Sequence, residues 1–127
     1  MAIQFNHTIV PARDAQASAT FVAEILGRDA PGRFGPFWTV PLDNGVTLDF
    51  QHSDEQFPVG HYAFLVSEPE FDAIFERIRA RGLRYWADPM HQRPFEINNH
   101  DGGRGLYWNA PDGHYLEIIT RPYGSGT

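Results

Sequence analysis

The sequence predicts an α+β fold made of two copies of one strand–helix–strand–strand–strand unit. Three observations carry that expectation: two one-faced helices, a set of short strand-like runs punctuated by turn residues, and an internal repeat that preserves its order along the chain. The length of 127 residues suits one compact domain. The expected organisation is a first module over about 1–55, a second over about 60–121, and a flexible tail at 122–127.

The first helix runs from the N-cap Asp14 to about Leu26. Phe21, Val22, Ile25 and Leu26 share one face, and Gly27 is the stop. The second opens at Ser67, with Glu70 three residues on in a capping-box pattern. Phe71, Ile74, Phe75 and Ile78 follow at helical spacing, arginines load the last turn, and Gly82 closes it. Each helix has one apolar face, so each is expected to lie on a sheet. The remaining apolar runs read as strands over about 3–10, 34–41, 46–51, 61–66, 84–86, 95–98, 104–110 and 114–120. The segment from Asp88 to Gly103, rich in Pro, Asn, His and Gly, reads as a loop able to cover a site.

The repeat aligns HTIV at His7 with HYAFLV at His61, each followed by a helix ending at a glycine. Later, FWTVPLDNGVTLDF (37–50) lies beside YWNAPDGHYLEI (107–118), so that Trp38 answers Trp108 and Asp49 answers Glu117. Strand alternation then assigns faces. Tyr115, Glu117 and Ile119 share one face of the last strand, and Thr47, Asp49 and Gln51 share one face of an earlier strand. The intervening apolar residues suit the side under the helices, which turns Asp49 and Glu117 toward the other, concave side. Trp38 and Trp108 fall on the face away from Tyr107 and read as core.

Glu117 lies between Leu116 and Ile118, where a carboxylate is costly unless donors or a cation meet it. Arg104 or Arg121 would be a plain partner. The repeat suggests another, because it supplies one imidazole and one carboxylate twice. Two histidines and one or two carboxylates on one wall suit a divalent metal of borderline or hard character.

Composition narrows the chemistry. Cysteine is absent, which excludes disulfides, thiolate metal sites and a cysteine nucleophile. All ten basic residues are scattered arginines, and the net charge is −6, so no basic stripe offers nucleic acid a footprint. The missing lysine excludes Schiff-base chemistry and Walker-type phosphate loops. No apolar run reaches the roughly 20 residues of a membrane span, and MAIQFNHTIVP lacks the pattern of a signal peptide. The expectation is a cytoplasmic protein that binds neither nucleic acid nor membrane.

The residues HTIVPARDAQASATFVAEILG, GHYAFLV and YWNAPDGHYLEIIT resemble the vicinal oxygen chelate superfamily, the glyoxalase/bleomycin-resistance/dioxygenase group. The resemblance implies paired βαβββ modules in a cup-shaped mixed sheet, a small-molecule substrate and a homodimer. It also implies a metal bound by His7, His61 and Glu117, with Asp49 where glyoxalase I proteins carry a further carboxylate. The ion would be divalent (Fe2+, Mn2+, Ni2+ or Zn2+). The expected activity is that of a metal-dependent glyoxalase-like lyase or isomerase, or an extradiol-type dioxygenase, acting on adjacent oxygens. Glu117, Asp49 and Tyr107 are the candidate catalytic groups, and Arg104, Asn109 and Phe95 the candidate substrate contacts. The alternative is a metal-independent drug-sequestering protein of the bleomycin-resistance type, for which aromatics are plentiful. Thiol transferases of the fosfomycin type are set aside, since their lysine contact has no candidate here.

Overall fold

The computed structural model describes residues 2–126. The chain divides between Pro58 and Val59 into two compact units. Each holds one open mixed sheet and one α-helix.

Unit 1 runs β1 (His7–Ala12), α1 (Ala15–Leu26), β2 (Gly32–Phe34), β3 (Phe37–Pro41) and β4 (Thr47–His52). The strand order is β1-β4-β3-β2, with β1 parallel to β4 and the other pairs antiparallel. The Asp14 side chain accepts a hydrogen bond from the Ala17 amide at 3.0 Å, and Gly27 ends the helix in the left-handed conformation. Ala19, Val22, Ala23 and Ile25 are buried, as are Val10, Ala12, Val40, Leu48 and Phe50 of the strands beside them. The run expected over 34–41 is interrupted by Gly35, whose positive φ of 58° and following Pro36 make a two-residue hairpin turn pairing Phe34 with Phe37. β1 begins at His7; residues 2–6 form no strand.

Unit 2 runs β5 (His61–Leu65), α2 (Glu68–Ala80), β6 (Gly105–Asn109) and β7 (Tyr115–Ile119). The order is β5-β7-β6, with β5 parallel and β6 antiparallel to β7. Ser67 and Glu70 form the full capping box at the head of α2. The strands expected at 84–86 and 95–98 shrink to single bridges, Trp86 with Tyr107 and Pro94, and Asn98 with Gly105. The cause is local. The Asp88 carboxylate gathers the amides of Gln92 and Arg93 into a turn, Pro89 and Pro94 offer no N–H, and Phe95 has a positive φ of 60°.

The two units repeat in register as well as in order. Asp49 lies opposite Ile9, two residues beyond His7, and Glu117 lies opposite Ala63, two residues beyond His61. The tryptophans diverge: Trp108 is fully buried, while Trp38 is only half-buried and carries the Arg33 guanidinium over its ring at 4.5 Å. The 122–127 tail, expected to be flexible, is tied through residue 126. The amides of Gly124 and Gly126 both donate to the Asp101 carboxylate, and residue 127 lies outside the described residues. Among the described residues no helix is long and apolar enough to cross a membrane.

Candidate active site

Alternation divides the sheet of unit 2 into two faces. Leu106, Trp108, Leu116 and Ile118 are all buried. Arg104 has their parity, and its guanidinium reaches Glu68 and Asp72 of α2 at 2.8 Å each, which sets the helix over that face. Tyr107, Glu117 and Ala63 form one cross-strand row on the opposite face. A cavity of about 630 Å³ opens on that face, lined among others by His61, Tyr107, Glu117, Asn98, Arg121 and Tyr123.

Within it Glu117 meets two partners, and neither is an arginine. Its Oε1 lies 2.9 Å from Nε2 of His61, and the Tyr107 hydroxyl donates to its carboxylate. The His61 and Tyr107 rings meet edge to face at 5.9 Å. Burial pushes the Tyr107 hydroxyl well above its ordinary pKa, and the charge and hydrogen bond of Glu117 push it further. Tyr107 is therefore a neutral hydrogen-bond donor throughout the physiological range. Folding holds a proton there that the unfolded chain releases near pH 10.0, so this contribution to stability is complete below that pH and is lost as pH rises above it. Chemical denaturation across the alkaline range should show that decline, and Tyr107→Phe should flatten it.

The remaining predicted residues fall in different places. Asp49 is buried at 8% exposure on β4, opposite Thr39 and Ile9. His7 bonds the Asn6 side chain at 2.7 Å. Their register copies that of His61 and Glu117, but the aspartate side chain is shorter by about 1.5 Å. Arg104 lines the cavity, yet its guanidinium is spent on α2. Hydrogen bonds from Thr120 and then Arg104 hold the Glu68 carboxyl below its ordinary range. Asn109 lies opposite Tyr115 with a buried Oδ1 that finds no partner, and it does not line the cavity. Phe95 is exposed, packs edge-on to Tyr85 and does not line the cavity. His91 stacks on Trp86 at 3.7 Å, and His52 pairs with Asp54.

Sequence reasoning missed Asn98 and Tyr123 and gave Arg121 a different partner. Arg121 lies two residues beyond the end of β7, where alternation gives no signal for it. Asn98 is 4% exposed; it donates to the Ala87 carbonyl and accepts from the His100 amide, pinning the loop to the sheet. Nothing in NNHDGG separates that asparagine from an ordinary turn residue.

The His61–Glu117 pair suits a metal as well as a hydrogen bond. Two donors at about 2.1 Å from one ion and at right angles stand about 3 Å apart, the separation found here. Within either unit, no three His, Asp or Glu side chains among the described residues come together to complete such a set.

Comparison with known proteins agrees with this architecture. The model of the Glyoxalase/Bleomycin resistance protein/Dioxygenase superfamily matches residues 4–118, and the chain belongs to that superfamily. Two solved structures are similar over nearly the whole chain. Oxidase ChaP-H1 is 61% identical, with 97% of this chain and 99% of that one covered and a TM-score of 0.95. Oxidase ChaP-H2 is 58% identical over all of both chains, with a TM-score of 0.96. The glutathione transferase FosA of Serratia marcescens is 30% identical over 120 residues, covering 89% of this chain and 77% of the relative. These relatives are enzymes by name. Thiol transferases, set aside for want of a lysine, are thus relatives in sequence. The missing lysine bears on chemistry, not on descent.

Proposed function

We propose that the protein is an oxidase or ring-cleaving dioxygenase acting on a small substrate with adjacent oxygens, its reaction centred on Glu117, His61 and Tyr107. The observation that carries this reading is the identity of 61% and 58% with two proteins named oxidases. The solved structure named a lactoylglutathione lyase is 16% identical to this chain, a likeness that shows the fold alone.

The three side chains divide the work. Glu117 and His61, joined at 2.9 Å, take the proton from a substrate hydroxyl and leave an electron-rich oxyanion. Tyr107, kept neutral, donates a hydrogen bond to that oxyanion. Dioxygen is the oxidant: it takes two electrons and two protons to leave a quinone and hydrogen peroxide, or both its atoms enter the cleaved ring. A divalent ion held by His61 and Glu117 would take the place of their mutual hydrogen bond and would supply Lewis acidity toward the adjacent oxygens and, as Fe2+, a path for electrons to oxygen; Glu117 would then carry the proton only on leaving the ion. Asp49, the short counterpart of Glu117, is assigned a water-mediated or proton-transfer part rather than tight ligation. The same reading has the protein working in the cytoplasm as a homodimer.

The test sets oxygen uptake with ortho-dihydroxy aromatics under Fe2+ beside hemithioacetal turnover under Ni2+, Mn2+ or Zn2+, and beside thiol addition to an epoxide. Oxygen uptake alone supports the oxidase reading. Turnover of either other substrate without oxygen uptake overturns it. So does tight metal-independent binding of a bulky aromatic drug with no turnover, which is the behaviour of a sequestering protein.

A further inference from the structure

On the functional reading above, His61, Tyr107 and Glu117 form the reacting end of the cavity. The two arginines that line the cavity differ in what they have left to bind. Arg104 is matched to Glu68 and Asp72. Arg121 makes no ion pair among the described residues. A guanidinium lining a cavity and paired with no carboxylate among the described residues is a forked donor for an anion.

The segment carrying it is held in place. A Cβ at Gly103 would stand 2.6 Å from Cγ of Arg121, so only glycine there lets the arginine stem lie against the loop. Two residues on, Tyr123 joins the cavity wall. Beyond it the chain turns back onto Asp101, whose two carboxylate oxygens accept from Gly124 at 2.9 Å and Gly126 at 3.0 Å. A Cβ at Gly126 would come within 2.4 Å of the Asp101 Cα, so the approach requires glycine. Asp101 itself has a positive φ of 58°, which aspartate tolerates better than most residues.

We propose that Arg121 and Tyr123 form a subsite for an anionic, flat portion of the substrate, remote from the oxygens that react at Glu117, and that Asp101 positions it. Arg121 stands two residues beyond the end of β7, and the four residues from Glu117 span at most about 13 Å. The cavity of about 630 Å³ has room for more than one catechol ring. The substrate class is therefore an elongated conjugated acid carrying its vicinal oxygens at the far end.

Caffeate, a catechol with a conjugated carboxylate, and its methyl ester are suitable probes, titrated calorimetrically against the full chain as purified. Wild type should bind the acid about fivefold more tightly than the ester. Arg121→Gln should bring the acid down to the ester, while Arg121→Lys keeps part of the preference. Tyr123→Leu should weaken both probes alike. Asp101→Asn retains one acceptor and tolerates the same backbone, so it should reduce the preference and speed amide exchange at Gly124 and Gly126. Equal affinity of wild type for the two probes, a preference that survives Arg121→Gln, or no binding of either probe at millimolar concentration overturns the subsite. Oxygen uptake read in the same samples separates the two claims. A preference lost in Arg121→Gln with no uptake in wild type sinks the oxidase reading alone, and uptake without any acid preference sinks the subsite alone.

Discussion

Glu117→Gln is expected to lower turnover by about 10²- to 10³-fold, the scale of losing one well-placed electrostatic group. Glutamine keeps the shape of the side chain and can still accept from Tyr107 and His61, so the local packing survives. What disappears is the negative charge that sustains the pair with His61 and that the proposed reaction uses to take a proton. Stability should change by no more than about 1 kcal/mol, because glutamine fills the same space and keeps an acceptor for Tyr107 and His61. Steady-state kinetics together with urea denaturation read both quantities. Unfolding of the variant with normal turnover in the folded fraction would give Glu117 a structural part instead.

Phe71→Ala should cost about 3–5 kcal/mol of folding free energy, a large share of what a domain of this size has to lose. The ring is fully buried at the start of α2, meets Phe75 edge-on at 5.9 Å and lies 4.3 Å beneath the Arg104 guanidinium. Truncation opens a cavity that the flanking Ile74 and Ile78, already buried, cannot close without moving the helix. The urea midpoint should fall with the slope unchanged. A loss below about 1 kcal/mol would mean that α2 contributes little to the core.

The parts of the fold legible in the sequence are those whose signals are local. Asp14 and Ser67 announced the helix starts because a side-chain oxygen satisfies free amides at those positions, and Gly27 announced an end because its backbone is left-handed. In the sheet of unit 2, alternation placed Glu117 and Tyr107 on one face and Leu116 and Trp108 on the other. The same parity would have marked His114 as a core histidine; it is 2% exposed and accepts from the Gly60 amide. What stayed hidden depends on contacts distant in sequence. No local pattern says that Arg104 will be claimed by two carboxylates 36 and 32 residues away rather than by a substrate. Nor does any pattern show that Asp101 ties down the tail across 23 and 25 residues. The reduction of two expected strands to bridges was similarly unreadable, because β propensity does not register that Asp88 will capture two amides of the following turn.

Metal content of protein purified without added metal, compared with that of His61→Ala and Glu117→Gln, is the measurement that decides whether the pair at 2.9 Å holds an ion. One divalent ion per wild-type chain is expected, with affinity reduced at least several-fold in each variant, as when a ligand is removed or discharged. Metal content and affinity unchanged in both variants, or full turnover by a wild-type protein stripped of metal, would contradict it.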